Sequence, residues 1–200
     1  MVSARKLETL FQKRKGLVRR KDVLEAGIHP RELSNFVAEG KAERVQRGVY
    51  RLIGGESFDK DWLLEVSYRV PKGVLCLLSA MDFHGLSTFV PNDIYLSVPT
   101  GSHQPKFEYP SVELHQFSDK LYSFLIEEHK VGPDVVKVYT PEKTITDLLR
   151  FQKRYGLELF LEALKTYWSR KGHSASKLMA AAKVCGVERS MQIYLTAVAA

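Results

Sequence analysis

The chain has 200 residues, 44% of them hydrophobic, and carries 30 Lys/Arg against 23 Asp/Glu, a net charge of +7. That length holds one large domain, or a small domain beside a medium one. No run approaches the roughly 18 apolar residues of a membrane span, and the opening MVSARKLETLFQKRKG lacks the apolar core of a signal peptide, so a soluble, cytoplasmic protein without membrane contact is expected.

Ser3 is placed to cap a first helix whose apolar residues, Leu7, Leu10 and Phe11, recur at i, i+3 and i+4. Gly16 ends it. A second short helix is predicted from Arg20 to Ala26, with Val23 and Leu24 inward and Gly27 as its stop. Pro30 suits the first turn of a third helix, where its missing N–H costs nothing. That helix buries Leu33, Phe36 and Val37 and ends at Gly40. Two short strands follow, Ala42–Gln46 and Val49–Leu52, joined by a tight Arg47-Gly48 turn. This order is that of a winged helix-turn-helix domain, residues 1–54. Gly54-Gly55-Glu56-Ser57 reads as a linker to a second domain, residues 58–200.

The second domain reads as α+β and mainly helical. Asp59–Val70 is a predicted helix stopped by Pro71, and the very apolar Val74–His84 a buried helix ending at Gly85. Asp93–Val98 and Ser111–Phe117 alternate as strands do. Gly101–Lys106 reads as a loop. Phe124–His129 and Val135–Tyr139 flank Gly132-Pro133 as a candidate hairpin. Helices are predicted over Pro141–Lys153, Leu157–Arg170, Ser174–Cys185 and Glu188–Ala199. Cys76 and Cys185 lie far apart in apolar runs and read as buried thiols, neither a disulfide framework nor a zinc site.

Charge separates the two domains. Residues 1–55 carry 13 Lys/Arg and 6 Asp/Glu, whereas residues 56–200 carry 17 of each. A basic module joined to a neutral one points to a dedicated contact with a polyanion. In the third helix, burying the apolar stripe leaves Arg31, Ser34, Asn35 and Ala38 outward. Arg donates two bonds to guanine and Asn pairs with adenine, so Arg31, Ser34 and Asn35 are the candidate base readers. Arg19, Arg20 and Lys21 at the second helix, and Lys41, Arg44 and Arg47 around the hairpin, are the candidate phosphate and wing contacts. The bland alternative is a solvated basic surface.

Three blocks carry a family resemblance. "GLVRRKDVLEAGIHPRELSNFVAEGKAERVQRGVYRL" (Gly16–Leu52) resembles the N-terminal domain of AbiEi-type antitoxins of bacterial type IV abortive-infection toxin–antitoxin systems. "CLLSAMDFHGLST" (Cys76–Thr88) and "VYTPEKTITDLLRFQKRYGLELFLEALKTY" (Val138–Tyr167) are similar to later blocks of the same family, in the same order. Lys143 stands where the family pattern has Arg before the Thr. The resemblance implies an autorepressor that binds repeats in the promoter of its own operon. It also implies an antitoxin that counteracts a nucleotidyltransferase-type toxin without a stable complex. A dimer on DNA is compatible with it, although no heptad marks a dimer helix.

Thr140-Pro141-Glu142 opens a helix well. Its buried stripe is Ile145, Leu148 and Leu149, and its other side presents Lys143, Asp147, Arg150 and Arg154. That side reads either as an exposed salt-bridged face or, with Lys153, as a second basic patch. No Walker, Gly-x-Ser-x-Gly or His-Glu-x-x-His motif is present, so no enzyme, catalytic residue, cofactor or metal is expected. Two rivals stay open. One is a regulator whose second domain senses a ligand or dimerises. The other is a nuclease built on Glu128-x-Lys130 with Asp119. His84 is expected as a helix C-cap or a packed histidine.

Overall fold

Leu7 and Phe11 are fully buried on one side of α1 (Val2–Lys13) in a computed structural model that describes residues 2–54, 61–103, 105, 107, 110–131 and 134–199. The helix begins at Val2, so Ser3 lies inside its first turn rather than ahead of it. Gly16, at φ +81°, sends the chain into a strand the sequence did not announce, β1 (Leu17–Arg19). Three residues are too few to show an alternation. α2 (Arg20–Glu25) buries Val23 but leaves Leu24 53% exposed, contrary to expectation. Successive residues of a helix stand 100° apart, and Asp22 and Val23 take the inner side of this short helix, which turns Leu24 outward.

α3 (Pro30–Ala38), β2 (Ala42–Gln46) and β3 (Val49–Leu52) follow as expected. β3 is the middle strand of an antiparallel sheet, with β1 and β2 on either side. Leu7, Phe11, Val18, Val23, Ile28, Leu33 and Phe36 close a core between the sheet and the three helices. A bulge interrupts the β2–β3 ladder between Arg44 and Gln46. Bulges bend and twist a ribbon. The carbonyl of Val45 at this bulge accepts from Arg69 Nη2 at 2.9 Å. Arg69 closes α4 (Asp61–Arg69). Most of the expected linker, from Gly55 on, lies outside the described residues.

Val74–His84 is not one helix. Val74–Leu75 forms β4, and Leu77–Phe83 forms α5. β4 pairs antiparallel with β5 (Ile94–Pro99) on one side and parallel with a later strand on the other. A short strand covered on both faces is as apolar as a buried helix, so the run could not distinguish them. Leu77, at φ +46°, makes the turn between them. β6 (Val112–Phe117) runs parallel to β5. Then come α6 (Asp119–Tyr122), β7 (Ile126–Val131) and β8 (Asp134–Tyr139). The five-stranded sheet has the order β6-β5-β4-β8-β7. Gly132-Pro133 and parts of the Gly101–Lys106 loop (Gln104 and Lys106) lie outside the described residues.

α7 (Pro141–Arg150) and α8 (Gln152–Tyr155) divide the helix expected over Pro141–Lys153 at Phe151. α9 (Leu157–Trp168), α10 (Ala175–Cys185) and α11 (Glu188–Ala199) complete the chain. α7 packs against α5, α9 and α10. The chain is therefore mixed α+β. None of the described helices is long and apolar enough to cross a membrane.

The described residues form two compact units, one of residues up to Pro71 with His129–Val136, the other of Lys72–Glu128 and the residues from Lys137 on. The first unit thus extends past the boundary expected at residues 54–58. It also takes in the adjoining ends of β7 and β8.

Candidate nucleic-acid interface

His29 caps α3. Its Nδ1 accepts from the backbone N–H of Arg31 at 3.2 Å, and Pro30 fills the first helical position. An accepting Nδ1 leaves the ring proton on Nε2, so a neutral His29 presents an N–H donor at the helix N-terminus. Leu33 and Phe36 point into the core, where Phe36 stacks on Phe11 with centroids 5.8 Å apart. The period of the helix then turns Arg31, Ser34, Asn35 and Ala38 outward, and all four are exposed. Arg31 and Asn35, one turn apart, offer a guanidinium and an amide side by side. Ser34 Oγ donates back to Pro30 O at 3.3 Å, which leaves its lone pairs to accept from a ligand. The structure brings all three expected base readers to one open face. His29 was missed because the sequence showed it only as the residue before a proline.

Arg20 and Lys21 are exposed in the first turn of α2. Arg44 is exposed on β2, and Arg47 at the β2–β3 turn, where Gly48 takes φ +80°. Lys41 is exposed, pairs with Glu39 at 2.9 Å and lies over the Phe36 ring at 5.3 Å. The Glu39 carboxylate holds the Lys41 ammonium above its ordinary range.

Arg19 departs from the expectation. It folds back on Asp22, with Nε donating at 3.0 Å and Nη2 at 2.9 Å, and its backbone N–H also donates to that carboxylate. A further pair with Asp134 at 3.1 Å and stacking over Tyr68 at 4.8 Å hold the guanidinium. Burial would push the Asp22 carboxyl up, but the bonds from Arg19 outweigh it and hold it below its ordinary value. Arg19 is committed within the protein rather than offered to a phosphate.

The second basic patch does not form as expected. Lys143 is fully buried, ion-paired with the equally buried Asp147, and sits over the rings of Tyr139 at 4.5 Å and Phe117 at 4.9 Å. Arg150 also reaches Asp147 at 3.4 Å, and Arg154 holds Glu113 at 2.7 Å. Lys153 is exposed on α8. With three helices around α7, its charged side faces the core and not solvent. Burial pushes the Asp147 carboxyl up against the pull of Lys143 and Arg150. Cys76 and Cys185 are buried free thiols, and His84 is the C-cap residue of α5 with Nε2 2.7 Å from Tyr139 O. Asp119 opens α6, while Glu128 and Lys130 are exposed on β7. Among the described residues, no three His, Cys, Asp or Glu gather where they would hold a metal.

Residues 5–53 match a family model described as transcriptional regulator, AbiEi antitoxin. The matched stretch contains the first block of resemblance and every candidate base reader and phosphate contact of the N-terminal unit. The fold is similar to a crystal structure of the RV2827C protein from Mycobacterium tuberculosis, with a TM-score of 0.54 and 16% identity over 98% of this chain and 81% of that one. At that identity the likeness concerns the fold alone. No curated protein matches the chain in sequence.

Proposed function

We propose that residues 2–52 form a winged helix-turn-helix that binds double-stranded DNA, and that the chain is a transcriptional regulator and antitoxin of AbiEi type. The observation that carries the reading is the open face of α3. It presents Arg31, Ser34 and Asn35 where such a helix meets base edges in a major groove. Arg20 and Lys21 on α2, and Arg44 and Arg47 on the twisted hairpin, flank it with cations suited to phosphates. The family match over residues 5–53 supports a regulator of this kind. By the same resemblance, the DNA is the promoter of its own operon and the outcome is repression. The antitoxin role is exerted against a nucleotidyltransferase-type toxin of a type IV system, without a stable complex.

The test is a salt-titrated binding assay of the full chain on the DNA upstream of its own gene, with a scrambled duplex alongside. Tight, sequence-dependent binding is expected. Weak binding that ignores sequence would overturn the regulator reading. The antitoxin part is tested by co-expression with a neighbouring toxin gene. Failure to restore growth would leave a regulator whose second unit serves a ligand or a dimer.

A further inference from the structure

Two arginines of the N-terminal unit are neutralised by two carboxylates, Asp22 beside them in sequence and Asp134 far along the chain. Asp134, at the start of β8 and within the 129–136 segment of that unit, accepts from Arg14 Nη1 at 3.3 Å and pairs with Arg19 Nη2 at 3.1 Å. The Tyr68 hydroxyl also donates to it. Asp22 completes the cluster, taking Arg14 Nη2 at 3.1 Å and three donors of Arg19. The four side chains are largely covered: Arg14 is 20% exposed, Arg19 22%, Asp134 12% and Asp22 1%.

The two carboxylates do different work. Asp22 sits in the first turn of α2 and accepts the backbone N–H of Arg19, so it is part of the helix cap. Among the described residues, Asp134 accepts no backbone donor in this cluster. Its three donors are two guanidinium groups and a phenol, a set that would hold a phosphate oxygen equally well. Arg19 immediately precedes Arg20 and Lys21, the exposed cations at the start of α2.

We propose that Asp134 is a built-in counter-anion that withholds Arg14 and Arg19 from DNA phosphates and so limits sequence-independent affinity. The inference rests on the DNA-binding reading above. A protein that must find one site among many gains from this arrangement. Each phosphate contact strengthens binding to every sequence alike, whereas base contacts discriminate. Carboxylate and phosphate compete for the same guanidinium fork, and an arginine already paired releases no net counterion charge when DNA approaches.

The test compares full-length parent, Asp134→Asn and Arg19→Gln on operator and scrambled duplexes between 50 and 200 mM salt. Asparagine keeps the shape and an acceptor oxygen and removes the charge. D134N is expected to bind the scrambled duplex more tightly than the parent at low salt. Its slope of log affinity against log salt should steepen by about one unit, since Asp22 still offsets one of the two arginines, and that is roughly a three- to fourfold larger loss across that salt range. The preference for operator over scrambled DNA should fall. Adding Arg14→Gln to D134N should take back about one unit of slope. R19Q in the parent background should leave the slope unchanged, because Arg19 is already neutralised there. That measurement does not depend on D134N folding. A loss of about one unit of slope in R19Q alone would show Arg19 on a phosphate and overturn the inference. So would a D134N protein with the parent's slope and weaker binding to both duplexes, which is what a purely structural role predicts. Those outcomes leave the DNA-binding reading intact. A parent that binds neither duplex overturns both.

Discussion

Lys143→Met is expected to destabilise the protein by about 3–4 kcal/mol at pH 7. Lys143 and Asp147 are both fully buried, and removing one partner of such a pair typically costs about 3–5 kcal/mol because the other charge is stranded. The structure sets a ceiling on that cost. Asp147 keeps one partner, Arg150 at 3.4 Å, and it also has an escape: it can bind a proton. Protonating a carboxyl of ordinary value 3.8 at pH 7 costs about 4 kcal/mol, at roughly 1.4 kcal/mol per pH unit. The sign of the pH dependence follows. A carboxyl whose folded value lies above its unfolded one contributes most favourably at low pH, and that contribution is lost as pH rises through the folded value. The deficit of K143M should therefore shrink by up to about 1.4 kcal/mol for each unit the pH is lowered toward 5. Replacing both partners, as in K143M/D147L, removes the stranded charge and should return stability to within about 1 kcal/mol of the parent or above it. The assay is urea unfolding followed by circular dichroism at pH 7 and pH 5. A K143M protein within about 1 kcal/mol of the parent at pH 7 would refute the reasoning, as would a deficit of equal size at both pH values.

Arg31→Ala should lose about 1–3 kcal/mol of operator affinity while leaving scrambled DNA unaffected; equal operator affinity would remove Arg31 from the reading face. Lys21→Ala should weaken both duplexes alike and flatten the salt slope by about one unit. His29→Ala should cost about 1 kcal/mol of stability through loss of the α3 cap, seen as a lower Tm, and His29→Asn, itself a good cap, should recover most of it. Asp22 is held below its ordinary value of 3.8, so its stabilising effect is present above that pH and is lost as pH falls below it. Asp22→Asn should therefore be less stable than the parent at pH 7, with the gap narrowing as pH falls below about 4; a gap that widens as pH falls below that point would contradict the assignment.

The parts of the fold that depend on neighbours a few residues away were legible in the sequence. α3 was read from Leu33 and Phe36, and its outer face followed from the period, so Arg31, Ser34 and Asn35 were placed together without knowledge of the rest of the chain. β2 and β3 were bounded by the Arg47-Gly48 turn. The errors fall where a second element decides. α7 has a clean apolar stripe, and the stripe implied that Lys143 and Asp147 face solvent. Amphipathicity tells which side of a helix is buried only when the other side is free, and α5, α9 and α10 leave α7 no free side along Lys143–Leu149. Val74–Leu75 reads as helix because β5 and β8, which turn it into a strand, lie elsewhere in the sequence.

The same distinction bears on how the positive charge of the N-terminal quarter is used. Read along the sequence, its excess suggests a cation at every turn waiting for a phosphate. In the fold, Arg14 and Arg19 hold Asp22 and Asp134, Lys41 holds Glu39, and Arg51 holds Glu43 and Glu65. Paired cations contribute little to counterion release, because DNA must first displace a carboxylate to reach them. The salt dependence of binding should therefore report fewer phosphate contacts than the charge excess suggests, with Arg20, Lys21 and Arg47 prominent among them. Net charge points to the module suited to a polyanion, but the carboxylates folded against it determine how many of its cations are available to one.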